Sequence, residues 1–202
     1  MNRRAMTKRF SLLAALCLSL TLASCSSEPA PEQRPPLEGA AIGGPFTLVD
    51  KDGKAVRWSD FNGKYRIVYF GYTFCPDACP MDVAAAMQGF SRFRDKHPDL
   101  ASQVQPIFIS IDPARDTPAK VGEFAAAFSP ELIGLTGTPE QIDQAAKAFS
   151  AYYAKGEDSE GGYLMDHSRV AYLMGREGEP ISMLPVDKNP DAVAAELEKW
   201  VK

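Results

Sequence analysis

The sequence predicts an α/β fold, a central mixed sheet flanked by helices with an N-terminal β-hairpin. Three observations carry that prediction. Short apolar runs of strand length alternate with segments whose apolar residues recur at helical spacing. Read in order, the elements run hairpin, β, α, β, α, β, α, β, β, α, and such alternation gathers strands into one sheet covered by helices. The third is the turn Cys75-Pro76-Asp77-Ala78-Cys79, which joins the first long strand to the first long helix.

At 202 residues with 45% hydrophobic content, the chain has enough apolar material for one well-buried domain and too little length for two. Phe46 to Val49 and Ala55 to Trp58 flank Asp50-Lys51-Asp52-Gly53, a hairpin with glycine in its turn. Asn62-Gly63 turns the chain into a strand from Tyr65 to Tyr72. Behind the cysteines, Val83, Met87, Phe90 and Phe93 give the apolar face of a helix running from about Pro80 to Lys96. Proline suits the first helical position and restricts the residue before it, so Cys79 is expected just outside the regular helix. His97-Pro98 stops that helix, and His97 is expected to decorate its C-terminus.

Val104 to Ile111 forms the next strand and leads into Asp112-Pro113-Ala114-Arg115-Asp116-Thr117-Pro118. Thr117 or Asp116 caps the following helix, whose buried face is Val121, Phe124 and Phe128. For Asp112, Arg115 and Asp116 the expected role is capping and loop pairing. Leu132 to Leu135 is a short strand. Thr138 and Gln141 then stand at capping-box spacing before a helix lined by Ile142, Ala146 and Phe149. Ala151 to Ala154 is a candidate strand, and the run from Lys155 to Tyr163 is expected as a solvated, mobile acidic loop. Asp166-His167-Ser168 precedes a strand from Val170 to Met174. A hairpin near Gly175 to Gly178 leads to Ile181 to Leu184, and Asn189-Pro190 opens a last helix with Val193, Leu197, Trp200 and Val201 inward. A two-cysteine turn opening the first helix of such a sheet suggests a thioredoxin-like fold. Met165, Met174 and Met183 are expected to pack in the core.

The N-terminus reads differently. Arg3, Arg4, Lys8 and Arg9 precede an apolar run from Phe10 to Leu22, too short to span a bilayer of about 30 Å as a helix, which marks residues 1–24 as a secretory signal. Leu22-Ala23-Ser24-Cys25 resembles the bacterial lipoprotein cleavage box. Cys25 is then the lipidated first residue of an exported protein, membrane-anchored through acyl chains and facing the periplasm or extracytoplasmic side. Residues 25–44, with Pro29, Pro31, Pro35 and Pro36, are expected as a linker, and 45–202 as the folded domain. Loss of the signal removes four of the 22 basic residues and none of the 26 acidic ones, leaving 18 against 26. So acidic a protein lacks the basic footprint of a nucleic-acid binder.

With Cys17 lost in the signal and Cys25 committed to lipid, Cys75 and Cys79 remain for chemistry. A helix start turns backbone N–H groups and the positive end of the helix dipole toward them, which favours thiolate. One helical turn of rise puts the two Cα atoms about 6 Å apart, within reach of a disulfide or of one shared metal ion. A five-residue loop removes little chain entropy, so stability alone is a weak reason for a disulfide. His167 adds an imidazole from a distant segment. Two thiolates and an imidazole suit copper, zinc and other thiophilic metals, and on residues alone a bare disulfide, copper and zinc rank equally. Asp166 is a candidate to orient the imidazole.

Three stretches, Gly71-Tyr72-Thr73-Phe74-Cys75-Pro76-Asp77-Ala78-Cys79-Pro80, Asp112-Pro113-Ala114-Arg115-Asp116-Thr117-Pro118 and Tyr163-Leu164-Met165-Asp166-His167-Ser168, together resemble the Sco/SenC family. These are copper proteins that assist assembly of cytochrome c oxidase. The resemblance covers residues 42–202. It implies a thioredoxin-like domain binding Cu(I) or Cu(II) through Cys75, Cys79 and His167. It also implies copper delivery to, or thiol reduction at, the copper A centre of cytochrome c oxidase subunit II, the work of a metallochaperone. Many members of that family carry a transmembrane helix where this chain resembles a lipoprotein. The rival function is that of a thiol-disulfide oxidoreductase acting through Cys75 and Cys79, although its usual spacing is Cys-x2-Cys. A thiol peroxidase leaves His167 unexplained.

Overall fold

The computed structural model describes residues 33–158 and 162–202. The expected signal peptide, Cys25, the first part of the expected linker and the middle of the acidic loop lie outside the described residues.

Pro35–Lys202 forms one compact unit. Its elements in order are β1 (Thr47–Val49), β2 (Ala55–Arg57), a 3-10 turn (Trp58–Phe61), β3 (Tyr65–Gly71) and α1 (Ala78–Lys96). A short α2 (Pro98–Ala101), β4 (Val104–Ser110), α3 (Pro118–Phe128), β5 (Ile133–Leu135) and α4 (Pro139–Ala148) follow. The chain closes with β6 (Tyr153–Lys155), β7 (Met165–His167), β8 (Ala171–Met174), β9 (Pro180–Leu184) and α5 (Pro190–Trp200). The central mixed sheet has the order β5-β4-β3-β8-β9, and helices flank it as the alternation predicts. β3 runs parallel to β4 and antiparallel to β8, with Tyr69 opposite both Phe108 and Ala171.

All seven residues of β3 are buried, so its alternating side chains feed two cores. On one face Tyr69 stacks on Phe108 at 6.3 Å and reaches Asp82 of α1. On the other, Phe70 meets Phe149 at 5.5 Å, and Trp58, Phe46 and Tyr172 gather around the same ring. α1 and α5 touch closely at Gly89, where an added Cβ would lie 2.5 Å from that of Val193. The predicted caps form: Thr138 and Gln141 make a reciprocal capping box, and Thr117 and Asn189 accept the N–H groups of Lys120 and Ala192.

Three expectations need correction. Residues 35–44, read as linker, pack against the domain: the Leu37 N–H donates to the Ile181 carbonyl at 3.0 Å and that of Gly43 to Ala148 at 2.8 Å. Leu37 and Ile42 cover core residues, so two apolar side chains outweigh the prolines around them. Helix α1 begins at Ala78, which places Cys79 inside its first turn and not before it. Proline is tolerated there because first-turn N–H groups have no partner within the helix to lose. The N-terminal hairpin forms as predicted, as its own two-stranded sheet linked to Thr136 by an isolated bridge from Val49. Met165 and Met174 are buried, but Met183 on β9 is 51% exposed, on the strand side opposite the buried Ser182 and Leu184.

Candidate metal centre

Cys75, Cys79 and His167 converge. One donor atom from each lies within 4.8 Å of the others, the geometry of a group that could hold a metal ion. The turn between β3 and α1 supplies Cys75, the first turn of α1 supplies Cys79, and the end of β7 supplies the histidine. The histidine segment differs from the expected loop, since β7 pairs it with Tyr153 in a two-stranded sheet separate from the central one.

The two thiols are not equivalent. Cys79 is fully buried against Gly71, where any Cβ would approach its Sγ to 3.2 Å, so glycine makes room for the sulfur. Burial, reinforced by the neighbouring Cys75 sulfur, pushes the Cys79 thiol far up, against smaller lowering contributions from the Tyr72 backbone and Tyr69. Cys75 is half-buried, and burial also opposes its ionisation. The backbone N–H groups of Asp77 and Cys79, with help from the Cys79 thiol and Tyr72 hydroxyl, more than offset that and hold it below the ordinary thiol range. The Cys79 N–H donates to Cys75 Sγ at 3.3 Å.

His167 presents its Nε2 to Cys79 Sγ at 3.1 Å, while Nδ1 lies 2.9 Å from the Ser168 carbonyl oxygen. A carbonyl only accepts, so that hydrogen bond requires the proton on Nδ1 and leaves the Nε2 lone pair facing the sulfurs. The carbonyl of Ser168 thus orients the ring where Asp166 was the candidate, and the Asp166 side chain is exposed. Tyr69 and Tyr72 present edge-on contacts to the imidazole at 6.2 and 5.9 Å and wall one side of the group.

Sequence reasoning underrated the loop after β4. Asp116 is buried and accepts three hydrogen bonds, from the Thr73 N–H, the Thr73 hydroxyl and the Ser110 hydroxyl, at 2.9, 2.5 and 2.6 Å. It thereby ties the end of β4 to the cysteine turn, leaving Thr117 to cap α3. Asp112 pairs with Arg115 at 2.5 Å and accepts the Tyr163 hydroxyl at 2.8 Å. Arg115 donates to the Tyr163 carbonyl at 2.8 Å and lies 4.9 Å over the Phe74 ring. The charged loop therefore touches the cysteine turn on one side and the segment leading to His167 on the other. His97 caps α1 as expected, its N–H donating to Phe93 at 2.8 Å.

A mixed sheet flanked by helices, with two cysteines at the β3–α1 junction and a histidine brought beside them, defines a thioredoxin-like protein with a thiol-rich metal-competent group. The chain belongs to the SCO1/SenC family, whose profile matches residues 34–202. It is 43% identical over 155 residues to the protein SenC of Rhodobacter capsulatus, covering 77% of this chain and 68% of that one. It is 41% identical over 167 residues to the mitochondrial SCO1 homolog 1 of Arabidopsis thaliana. That match covers 81% of this chain but spans only about half, 49%, of the plant protein. The crystal structure of Arabidopsis thaliana ScoI with copper bound matches with a TM-score of 0.73 and 39% identity, over 78% of this chain and 96% of that one. Among the described residues no helix is long and apolar enough to cross a membrane.

Proposed function

We propose that this chain is a membrane-tethered copper chaperone that holds copper through Cys75, Cys79 and His167 and serves assembly of the copper A centre in cytochrome c oxidase subunit II. The observation that carries the reading is the convergence of two sulfurs and the Nε2 lone pair within 4.8 Å, in a family with copper-bound relatives. The chemistry of the donors agrees, since two soft thiolates with one imidazole satisfy Cu(I) at low coordination number. Copper is the cargo here. Cys75, half-exposed and the more easily ionised of the two thiols, is the first sulfur to meet it. Cys79 gives up its proton only as the metal arrives, and His167 completes the set without a change of tautomer. The oxidase partner rests on family membership.

The tether is proposed from the residues around Cys25, which lie outside the described part. Metabolic labelling with a radioactive fatty acid is expected to mark the protein in cells, and Cys25→Ser is expected to abolish the label. A labelled Cys25→Ser protein would refute lipid attachment at that residue.

Anaerobic competition between the reduced full chain in detergent and a Cu(I) chelator tests the copper reading. One equivalent bound, with affinity lowered at least about 10-fold by Cys75→Ser, Cys79→Ser or His167→Ala, is the expected result. Binding indifferent to His167→Ala would refute the three-ligand site.

The asymmetry of the thiols favours one second reading, a thiol-disulfide reductase. The Cys75 thiolate attacks a partner disulfide and expels one partner thiolate, and the Cys79 sulfur then attacks the Cys75 sulfur of the mixed disulfide and expels the second partner thiolate, leaving the partner with two thiols and this chain with a Cys75–Cys79 disulfide. Reduction of a disulfide-bonded peptide by the copper-free protein, undiminished in His167→Ala, distinguishes this reading from copper transfer.

A further inference from the structure

β7, which carries His167, belongs to a two-stranded sheet apart from the central one, so its hydrogen bonds do not fix its distance from α1. Side chains make that connection. Two residues after His167, Arg169 grips Asp82 with both prongs of its guanidinium, Nε to Oδ2 at 2.9 Å and Nη2 to Oδ1 at 2.6 Å. Asp82 stands three residues after Cys79 on α1, hence on the same face of the helix. It is 1% exposed and also accepts the Tyr69 hydroxyl at 2.9 Å. Tyr69 in turn packs its ring against His167. A carboxylate buried this deeply is held by all three of these bonds, whereas the Arg169 side chain is about half-exposed and free to swing out if released. The ion pair therefore runs alongside the Cys79–His167 contact and joins α1 to the segment that follows directly on β7.

We propose that the Asp82–Arg169 pair is a latch that sets the separation between Cys79 and His167, with both residues acting as positioning residues for the metal group. This rests on the reading of His167 as a ligand. The latch makes the imidazole available to the sulfurs before any metal arrives, so that little ordering of β7 remains to oppose binding. A merely structural role, in which Arg169 only neutralises a buried carboxylate, predicts a loss of stability indifferent to His167.

The test is a double-mutant cycle on the full chain in detergent, reduced and anaerobic, with Cu(I) as the probe and a competing chelator as the reporter. Asp82→Asn combined with Arg169→Met removes both charges while leaving the substituted amide able to accept from Tyr69, which avoids stranding a charge. It is expected to weaken Cu(I) binding about 10-fold when His167 is present and to have no effect in the His167→Ala background. Equal weakening in both backgrounds, or none in either, overturns the latch. If His167→Ala alone leaves affinity unchanged, the ligand reading fails instead, and the two failures are separable. A metal-free readout uses the ring nitrogens of His167 by NMR. The native chain is expected to show the Nδ1-protonated tautomer, and the double variant signals averaged between tautomers; identical signals would again overturn the proposal. Should the double variant not fold, Arg169→Lys keeps the charge without the fork and is expected to show a smaller loss, also dependent on His167.

Discussion

The Nε2 of His167 lies 3.1 Å from the sulfur of Cys79, the more buried of the two cysteines and the one whose thiol burial pushes furthest up. The Nδ1 contact with the Ser168 carbonyl turns Nε2 toward that sulfur as a hydrogen-bond acceptor, while the backbone N–H groups of Asp77 and Cys79 favour the thiolate at the half-exposed Cys75. In the metal-free, reduced protein at neutral pH, limiting iodoacetamide is therefore expected to alkylate Cys75 and spare Cys79. Peptide mass spectrometry reads the outcome, and equal labelling of both thiols would contradict the asymmetry.

The raised Cys79 thiol also sets a pH dependence of folding. Its ordinary value is 9.0 and its folded value lies well above, so between the two only the unfolded chain gives up the proton. The stabilisation is present in full below pH 9 and is lost as pH rises further. Once the unfolded thiol is ionised, the loss approaches about 1.4 kcal/mol per pH unit. Urea midpoints of the metal-free protein at pH 8 and pH 10 should fall more steeply for the native chain than for Cys79→Ser. Parallel decline would show that Cys79 does not titrate this way.

Asp116 is the hinge between the charged loop and the cysteine turn. Replacement by Asn keeps the shape but removes the charge that accepts from Thr73 and Ser110, at an expected cost of about 2 kcal/mol. Urea unfolding measures the cost. The looser cysteine turn is also expected to protect Thr73 and Phe74 amides less from hydrogen exchange. An unchanged exchange rate would separate Asp116 from the turn.

At the contact of α1 with α5, Gly89→Ala forces a methyl to 2.5 Å from the Val193 Cβ and 2.8 Å from the Pro190 carbonyl oxygen. Neither can retreat without moving a helix. The expected destabilisation is about 1–3 kcal/mol, measured by denaturant midpoint, and a neutral substitution would show that α5 yields at little cost.

Much of this was legible in the chain because the relevant signals are local. The apolar run at Ile67 to Phe70, the Thr138–Gln141 capping box and the Asn189-Pro190 helix start each act within a few residues, and each forms as read. Cys75 and Cys79 are evident from spacing, and His167 from the Tyr163-Leu164-Met165-Asp166-His167-Ser168 stretch that carries part of the family resemblance. The signals that failed were long-range. Asp82 and Arg169 lie 87 residues apart, and nothing near either names the other. The role of Asp116 depends on Thr73, 43 residues away, while its own neighbourhood suggests a helix cap. Pro80 argues Cys79 out of a helix only when its local preference is weighed without the tolerance of the first turn.

The most practical of these misses concerns where the domain begins. Prolines and polar residues up to Gly44 read as linker, which makes Pro45 a natural starting point. The backbone of Leu37 is hydrogen-bonded to Ile181 on β9 and that of Gly43 to Ala148 at the end of α4, and the side chains of Leu37 and Ile42 cover the core between these contacts. A chain beginning at Pro45 exposes that apolar surface and leaves the two carbonyls to water. Each side chain is only partly buried, so the combined loss is expected to be about 2 kcal/mol relative to a chain beginning at Pro35. Paired thermal melts of the two metal-free proteins measure it. Coincident melts would mean that residues 35–44 rest on the domain without holding it.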